Sequence, residues 1–406
     1  VSARGLAPVY LLLGAHILSM LGFSTYAALL PELRDAWGMS NSEAGVVSGM
    51  FFAGYIGTVS LWTALTDRID ARRIYFAGSL LAGVASAAFG TLAQGFASAA
   101  LCQVALGIGI AATYMPGLRL LSDRIGGPLQ SRYVAFYTSF FGIGTALSLA
   151  MAGFIAPALG WRAAFVVSAF GPPLAGAIVL FLLEARPPQR SGALSLHALF
   201  PLAAWRRVLA VRASAGYTAG YAAHCLELFG SRAWMVAYLG FSGSLYPDAT
   251  FPWPAAAIAA VVNLTAVPAS IIGNEVALHI GRRRWILAVM AASGTAGMLL
   301  GWAAALHWSL VLVLLVLYSM LVMAESGTLT AGLVASAPAE LRGAAMGLYS
   351  LAGFAGGFLG PVVFGAALDI VGGGASRAAW IAGYAAIGAA CLAAPIVARI
   401  AGRPRA

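Results

Sequence analysis

Twelve separate runs of about twenty mostly apolar residues take up nearly the whole chain, and this limits the fold more than any other feature. A helix that crosses a bilayer needs roughly 20 such residues. The runs fall at 9–30, 44–65, 74–92, 98–119, 133–159 and 162–183. After a break they resume at 211–241, 254–275, 285–306, 308–336, 344–370 and 377–400. Too little polar surface remains to clothe a water-soluble domain. Charged residues make up 9% and hydrophobic residues 61% of the 406, with a mean hydropathy of +0.89; an ordinary soluble domain carries roughly 25% charged residues. With lipid as the solvent, backbone polar groups must be paired internally, which favours helices. The expectation is an all-α membrane protein of twelve transmembrane helices. The first run is too long for a secretory-signal core and has no small-residue cleavage site, so it is expected to be retained.

Arginine placement sets the orientation. The chain has 23 basic and 13 acidic residues and a net charge of +10, and every basic residue is arginine. With the N-terminus in the cytoplasm, nineteen arginines fall on the cytoplasmic side. Only Arg34, Arg162 and Arg377 fall outside, and Arg232 lies within a span. This follows the positive-inside rule, so both termini are expected to be cytoplasmic. The charge reads as a topology signal and gives no reason to invoke nucleic acid.

The stretch 184–207, EARPPQRSGALSLHALFPLAAWRR, is the one long polar break. Pro187, Pro188 and Pro201 rule out a single continuous helix there, and its weakly apolar end, 194–205, is expected to lie along the membrane surface. It divides the chain into an N-terminal six-helix bundle (1–183), a cytoplasmic linker (184–207) and a C-terminal six-helix bundle (208–406). Cys102, Cys225 and Cys391 are odd in number and sit in apolar runs, which implies buried small side chains and no disulfide framework. The glycines of GFAGGFLGP (353–361) recur four apart, Gly353 with Gly357 and Gly356 with Gly360, a spacing that suits close helix packing.

The two halves echo one another. Pro128 and Arg132 precede the fifth span as Pro338 and Arg342 precede the eleventh. DRIDARR (67–73) follows the second span as HIGRRR (279–284) follows the eighth. Three motifs sharpen the pattern: TALTDRIDARR (63–73), PAELRGAAMG (338–347) and GWRAAF (160–165). With these the chain resembles the major facilitator superfamily of secondary transporters. In that family's second-to-third-span loop, Leu65, Asp67, Arg68, Arg72 and Arg73 match, while Thr63 and Asp70 stand where glycines are usual. Gln103 occupies a position where many members carry arginine, and the first span has His16 where many proton-driven exporters carry a carboxylate. The resemblance implies two pseudo-symmetric six-helix bundles and alternating access. It also implies a cytoplasmic gate of Asp67 and Arg68, with Arg119, Arg132 and Arg342 as partners; the alternative is that these charges only set topology.

The seventh span holds the chemistry. A charge at the bilayer centre costs about 2.5–3.5 kcal/mol on insertion scales, yet AAHCLELFGSRAW (222–234) carries three ionisable groups. At 100° per residue, Tyr217, Tyr221, His224, Glu227, Ser231 and Arg232 fall within an arc of roughly 140°. That face is expected to line water. His224 and Glu227, at i and i+3, can touch and form a proton-handling pair. Gly230 can loosen the helix between Glu227 and Arg232. Arg232 suits a bidentate grip on an anionic group. The bland alternative is an internal ion cluster that locks helices together. In the tenth span Glu325 shares a face with Tyr318 and Thr328; it either handles protons or substrate, or pairs with a cytoplasmic arginine. Glu275, at a span end, reads as an interfacial charge.

In the N-terminal half, His16, Tyr26, Tyr114 and Tyr137 are candidate substrate contacts, with Gln103 as a further polar position, and Pro116 is a candidate kink in the fourth span. His16 and Asn263 remain open between packing and binding. No phosphate-cradling GxxxxGK[ST], HExxH or metal-spaced His/Cys set is present. No cofactor and no enzymatic activity are therefore expected. The expectation is a monomeric, multi-pass carrier in a bacterial inner membrane, moving a small organic anion with protons as the coupling ion. Efflux of amphipathic or toxic compounds is the alternative, and a membrane sensor or scaffold is the non-transport one.

Overall fold

The computed structural model describes residues 3–125, 128–186, 200–245 and 251–393. Helices and their connecting turns account for it, and no strand occurs among the described residues. Residues 187–199, most of the expected linker, lie outside the described residues, as do 394–406, the end of the last expected span. By internal contacts the chain forms two compact units. One comprises Val1–Leu29 and Met50–Phe200, the other Leu30–Gly49 and Pro201–Ala406.

The helices of the first half of the sequence are α1 (Ala3–Ser19), α2 (Thr25–Ala36), α3 (Asn41–Leu65), α4 (Ala71–Leu92), α5 (Phe96–Ser122), α6 (Pro128–Leu159), α7 (Trp161–Ser168) and α8 (Gly171–Leu182). Those of the second half are α9 (Leu202–Ala210), α10 (Arg212–Ser244), α11 (Ala255–Thr265), α12 (Val267–Ile280), α13 (Arg282–Ala303), α14 (Trp308–Ala324), α15 (Ser326–Ser336), α16 (Arg342–Ile370) and α17 (Arg377–Leu392).

Among the described residues nine helical segments are long and apolar enough to cross a membrane. The three other expected spans depart for visible reasons. The first is split at 20–24 into α1 and α2. The seventh is one 33-residue helix, α10, whose apolar run is diluted by His224, Glu227 and Arg232. The twelfth, α17, is described only to Leu392.

Several spans are broken midway, and two of the breaks show partners for backbone groups they free, as lipid requires. Between α1 and α2 the amide of Ser24 donates to Ser148 Oγ of α6 at 3.0 Å. Between α14 and α15 the carbonyl of Ala324 accepts from Trp285 Nε1 of α13 at 3.0 Å. Proline starts two of the second pieces: Pro172 in α8 and Pro268 in α12, positions where a missing amide hydrogen costs nothing. Pro116, expected as a kink, lies inside an unbroken α5.

In the first unit α4 packs on α5 and α8, around a core that includes Leu12, Tyr75, Leu120, Tyr137 and Val179. In the second unit the main pairings are α10 with α16 and α13 with α17. Lipid supplies no hydrophobic drive between helices, so these contacts depend on close packing. A Cβ at Gly356 would overlap the carbonyl of Ala222, and one at Gly360 the carbonyl of Leu226 and the backbone of Gly230. Gly230 therefore does not loosen α10, which continues unbroken through it; it is packed against Gly360 of α16.

Candidate functional site

Helix α10 carries the expected polar stripe, but neighbouring helices cover most of it. His224 is 1% exposed, Glu227 0% and Ser231 3%, so for these residues the expected water-lined face is closed. Periodicity places them on one face; helices far away in sequence determine what lies over it. Arg232 alone among the three ionisable groups stays half-buried.

The imidazole of His224 pairs with Glu325. Its Nδ1 lies 3.1 Å from Glu325 Oε1, and Glu325 is itself 0% exposed. This corrects the expected pairing of His224 with Glu227: the carboxylate partner of His224 comes from the tenth span and not from one turn away, and of the two alternatives for Glu325, an arginine partner is not found among the described residues. The cause is the break between α14 and α15. Glu325 stands at the junction, capping α14 at its C-terminal end and preceding α15. The close approach of α12, where a Cβ at Gly273 would overlap the Ala324 carbonyl, helps fix the junction in place.

Glu227 points to another side. Its Oε2 accepts from Ser293 Oγ of α13 at 2.8 Å. The Cys391 thiol of α17 lies beside the carboxyl but donates to the Ala223 carbonyl at 3.7 Å. One oxygen of each carboxylate, Glu227 Oε1 and Glu325 Oε2, has no hydrogen-bond partner among the described residues. A carboxylate sealed from water is stable only with a proton, a cation or enough donors. Among the described residues Glu325 is met by one buried imidazole and Glu227 by the Ser293 hydroxyl, so the cluster is short of compensation unless it holds protons.

The stripe's tyrosines brace this cluster. Tyr221 stacks on Tyr349 of α16, with centroids 3.8 Å apart, and on His224 at 5.7 Å. The Tyr349 hydroxyl meets Thr330 Oγ1 of α15 at 3.0 Å. Tyr217 lies against Gly332. Tyr318 is 1% exposed and meets Tyr384 edge-on at 6.0 Å. Arg232 makes no ion pair among the described residues, and its Nε is buried without a hydrogen-bond partner.

In the first unit the structure brings together three of the four expected contacts. His16, 0% exposed, stacks on Tyr137 at 4.1 Å and lies 5.4 Å from Tyr114, centroid to centroid. Tyr137 donates to the Tyr114 carbonyl at 3.1 Å. Neither ring nitrogen of His16 has a hydrogen-bond partner among the described residues. Tyr26 belongs elsewhere, packed edge-on against Phe89. Gln103 is buried. In the second unit Asn263 donates to the Ala259 carbonyl at 2.8 Å.

The expected gate residues form a network inside the first unit. Arg119 bridges Asp67 at 2.9 Å and Asp123 at 3.0 Å, so of the three expected partners Asp67 meets the one in its own unit. Arg68 donates to the Ala64 carbonyl at 3.2 Å, and Arg132 and Arg342 are exposed. Asp70, the departure from the family pattern, has a clear role. It caps α4 by accepting from the Arg72 amide at 3.0 Å, a favoured N-cap arrangement. Burial pushes its carboxyl up, but the hydrogen bonds and charge of Arg72, with Arg73 behind, outweigh this and hold it below the ordinary range. Arg72 also donates to the Leu183 carbonyl at 2.6 Å, closing the end of α8.

Sequence reasoning missed Ser293 and Tyr349. Serine is common in apolar helices and carries no periodic mark, and Tyr349 lies in a glycine-rich run that reads as packing.

Comparison with known proteins places this geometry in context. The family model described as Major Facilitator Superfamily matches residues 12–361. A niacin transporter, NiaP, of Acinetobacter baylyi is 22% identical over 163 residues, 40% of this chain and 36% of that protein. The chain thus aligns with little more than a third of that relative's length. A bacterial homologue of the human lysosomal transporter Spinster, inward-facing and unoccupied, superimposes with a TM-score of 0.75 at 15% identity, covering 99% of this chain and 96% of the other. The nucleoside transporter NupG, solved as a point mutant, gives 0.75 at 15% identity, covering 97% and 100%. These likenesses are of fold.

Proposed function

Because the chain belongs to the Major Facilitator Superfamily, it is a membrane transporter and not an enzyme, and we propose that it carries a small organic anion coupled to protons. In this reading it works by alternating access in a bacterial inner membrane, as a monomer with twelve spans and both termini in the cytoplasm. Asp67, Arg68 and Arg119, with Arg132 and Arg342, serve its cytoplasmic gate. His16, Tyr114 and Tyr137 of the first unit and Tyr217 and Tyr221 of the second contribute to substrate contact, with Tyr26 apart from the first set.

The observation that carries the anion assignment is the Arg232 guanidinium, which makes no ion pair among the described residues. A half-buried cation with an orphaned Nε, on the helix that also bears His224 and Glu227, suits a carboxylate ligand held by charge-assisted hydrogen bonds. The match to a niacin transporter points the same way, since niacin is a pyridine carboxylate. Proton coupling rests on the sealed set of His224, Glu325 and Glu227. Their burial leaves a net negative charge uncompensated, and proton binding and release there is the simplest way to couple charge to conformation.

The test is flux in proteoliposomes with an imposed pH gradient, using radiolabelled niacin and a panel of small carboxylates. Arg232→Gln should abolish anion uptake, and Glu325→Gln should abolish its coupling to protons. A second reading, efflux of amphipathic compounds, draws on the apolar aromatic nest of His16, Tyr114 and Tyr137. Extrusion of lipophilic dyes that survives Arg232→Gln, without carboxylate flux, would favour it. Absence of any flux would favour a sensor or scaffold.

A further inference from the structure

Of the three arginines expected outside, Arg162 and Arg377 belong to a repeated motif. Arg162-Ala163-Ala164-Phe165 recurs in the second half as Arg377-Ala378-Ala379-Trp380, and the structure builds the same local arrangement around each.

In the first unit α7 begins where α4 ends. A Cβ at Gly90 would overlap the Arg162 carbonyl, so the first turn of α7 lies directly on the last turns of α4. Arg162 Nη1 donates to the Gly90 carbonyl at 3.1 Å and to the Thr91 carbonyl at 3.4 Å. Its guanidinium sits 4.4 Å from the centre of the Trp161 ring. In the second unit α17 begins where α13 ends, and a Cβ at Gly301 would overlap the Ile381 backbone. Arg377 Nη2 donates to the Trp302 carbonyl at 2.8 Å, and its guanidinium lies 5.6 Å from the centre of the Trp302 ring. The indole comes from α7 in one unit and from α13 in the other. A cation over an indole at the end of the third span is common to both.

The last carbonyls of a helix have no partner within it, and one nitrogen of each guanidinium serves them. The other nitrogens meet no acceptor among the described residues. Both arginines are exposed, and neither makes an ion pair among the described residues. Arg34, the third of the set, instead has its own carboxylate, Asp35, at 2.7 Å. Exposed apolar side chains adjoin each pair in sequence: Leu92 and Leu159 in the first unit, Leu299 in the second. The helices that meet at these points, α4, α7 and α13, belong to segments long and apolar enough to cross a membrane. The end of such a span stands at headgroup level, where indoles are favoured.

We propose that the two arginine–indole pairs are phospholipid seats, one in each unit, each holding the headgroup phosphate of an adjacent lipid. The guanidinium presents its uncommitted donors as a fork to two phosphate oxygens. The indole face supports the cation, and the neighbouring leucines take the upper part of an acyl chain. Because the same guanidinium also grips the end of the third span, an occupied seat holds the first turn of the sixth span in place: α7 on α4, and α17 on α13.

The inference rests on the chain crossing a membrane, and its placement in the outer leaflet rests on cytoplasmic termini. Its test needs neither substrate nor protons, so it and the transport reading can fail separately. Amide hydrogen exchange is measured on the full-length protein in nanodiscs of phosphatidylglycerol, and in nanodiscs of a glucosyl diacylglycerol with the same chains and no phosphate. Exchange over 161–168 and 377–384 should be roughly threefold slower in the phospholipid. Arg162→Gln should abolish that difference at 161–168 and leave it at 377–384, and Arg377→Gln should do the reverse, so each seat controls for the folding of the other variant. Arg162→Lys, which keeps the cation, should keep the difference. Equal exchange in the two lipids would overturn the seats. So would a lipid difference that survives both glutamine variants, as it would if the arginines only capped helices. Protection restored in the phosphate-free discs by inorganic phosphate would assign the guanidinium to a soluble anion and overturn the lipid as its occupant.

Discussion

Replacing Glu325 separates the structural from the chemical role of the buried pair. The side chain is 0% exposed, and its Oε1 is 3.1 Å from His224 Nδ1. Glu325→Ala leaves that nitrogen buried and unpartnered and opens a void at the α14–α15 junction. Losing one partner of a buried pair costs about 3–5 kcal/mol. Glu325→Gln keeps the shape and a polar tip against Nδ1, so its cost is that of one exchanged hydrogen bond, about 1 kcal/mol. The two variants should therefore differ by roughly 3 kcal/mol. Taking about 2–4 °C per kcal/mol for a chain of about 200 residues, the size of one unit, Glu325→Ala should unfold roughly 6–12 °C below Glu325→Gln. The assay is thermal unfolding in mild detergent, followed by tryptophan fluorescence. Both variants should nonetheless fail in substrate-driven proton flux, because neither can exchange a carboxyl proton. Equal melting of the two variants would refute the claim that the pair holds α10 to the broken tenth span. Proton-coupled transport by Glu325→Gln would refute its chemical role.

Three further outcomes follow from other contacts. Gly360→Leu should cost at least about 2–3 kcal/mol through overpacking, visible as loss of monodisperse protein on size exclusion, whereas Gly14→Ala, with open space around its Cβ, should be near neutral. Asp70→Ala should cost about 1 kcal/mol by removing the α4 cap. The Asp70 carboxyl is held below its unfolded value, so this deficit should be full at neutral pH and should shrink as pH falls through the folded value, as read from melting curves of both proteins. Ser293→Ala removes the hydroxyl that donates to Glu227 Oε2 and should shift the pH dependence of transport with a stability loss of only about 1 kcal/mol.

The sequence alone gives away the membrane, the helices and the polar stripe, because these depend on local composition and on a fixed helical period. It does not give away the partners. The residues on α10 share a face as periodicity requires, but His224 finds Glu325 at a separation of 101 positions, and Glu227 finds Ser293 at 66. Both pairings are settled by which helices pack together. The breaks divide in the same way. Proline marks those before α8 and α12, while the break at Glu325 has no proline and is held by the distant Trp285. The Asp70 departure is legible only afterwards: a residue out of place in a family pattern turns out to be a helix cap.

The central claim is that the sealed cluster of Glu325, His224 and Glu227 gains and loses protons as the carrier works. Infrared difference spectroscopy of the purified protein in lipid, on adding and removing a transported carboxylate, reads this directly. The account predicts a carboxylic-acid carbonyl band that changes on substrate binding and is lost in Glu325→Gln or Glu227→Gln. A band that does not respond to substrate, or that persists unchanged in both variants, would contradict it.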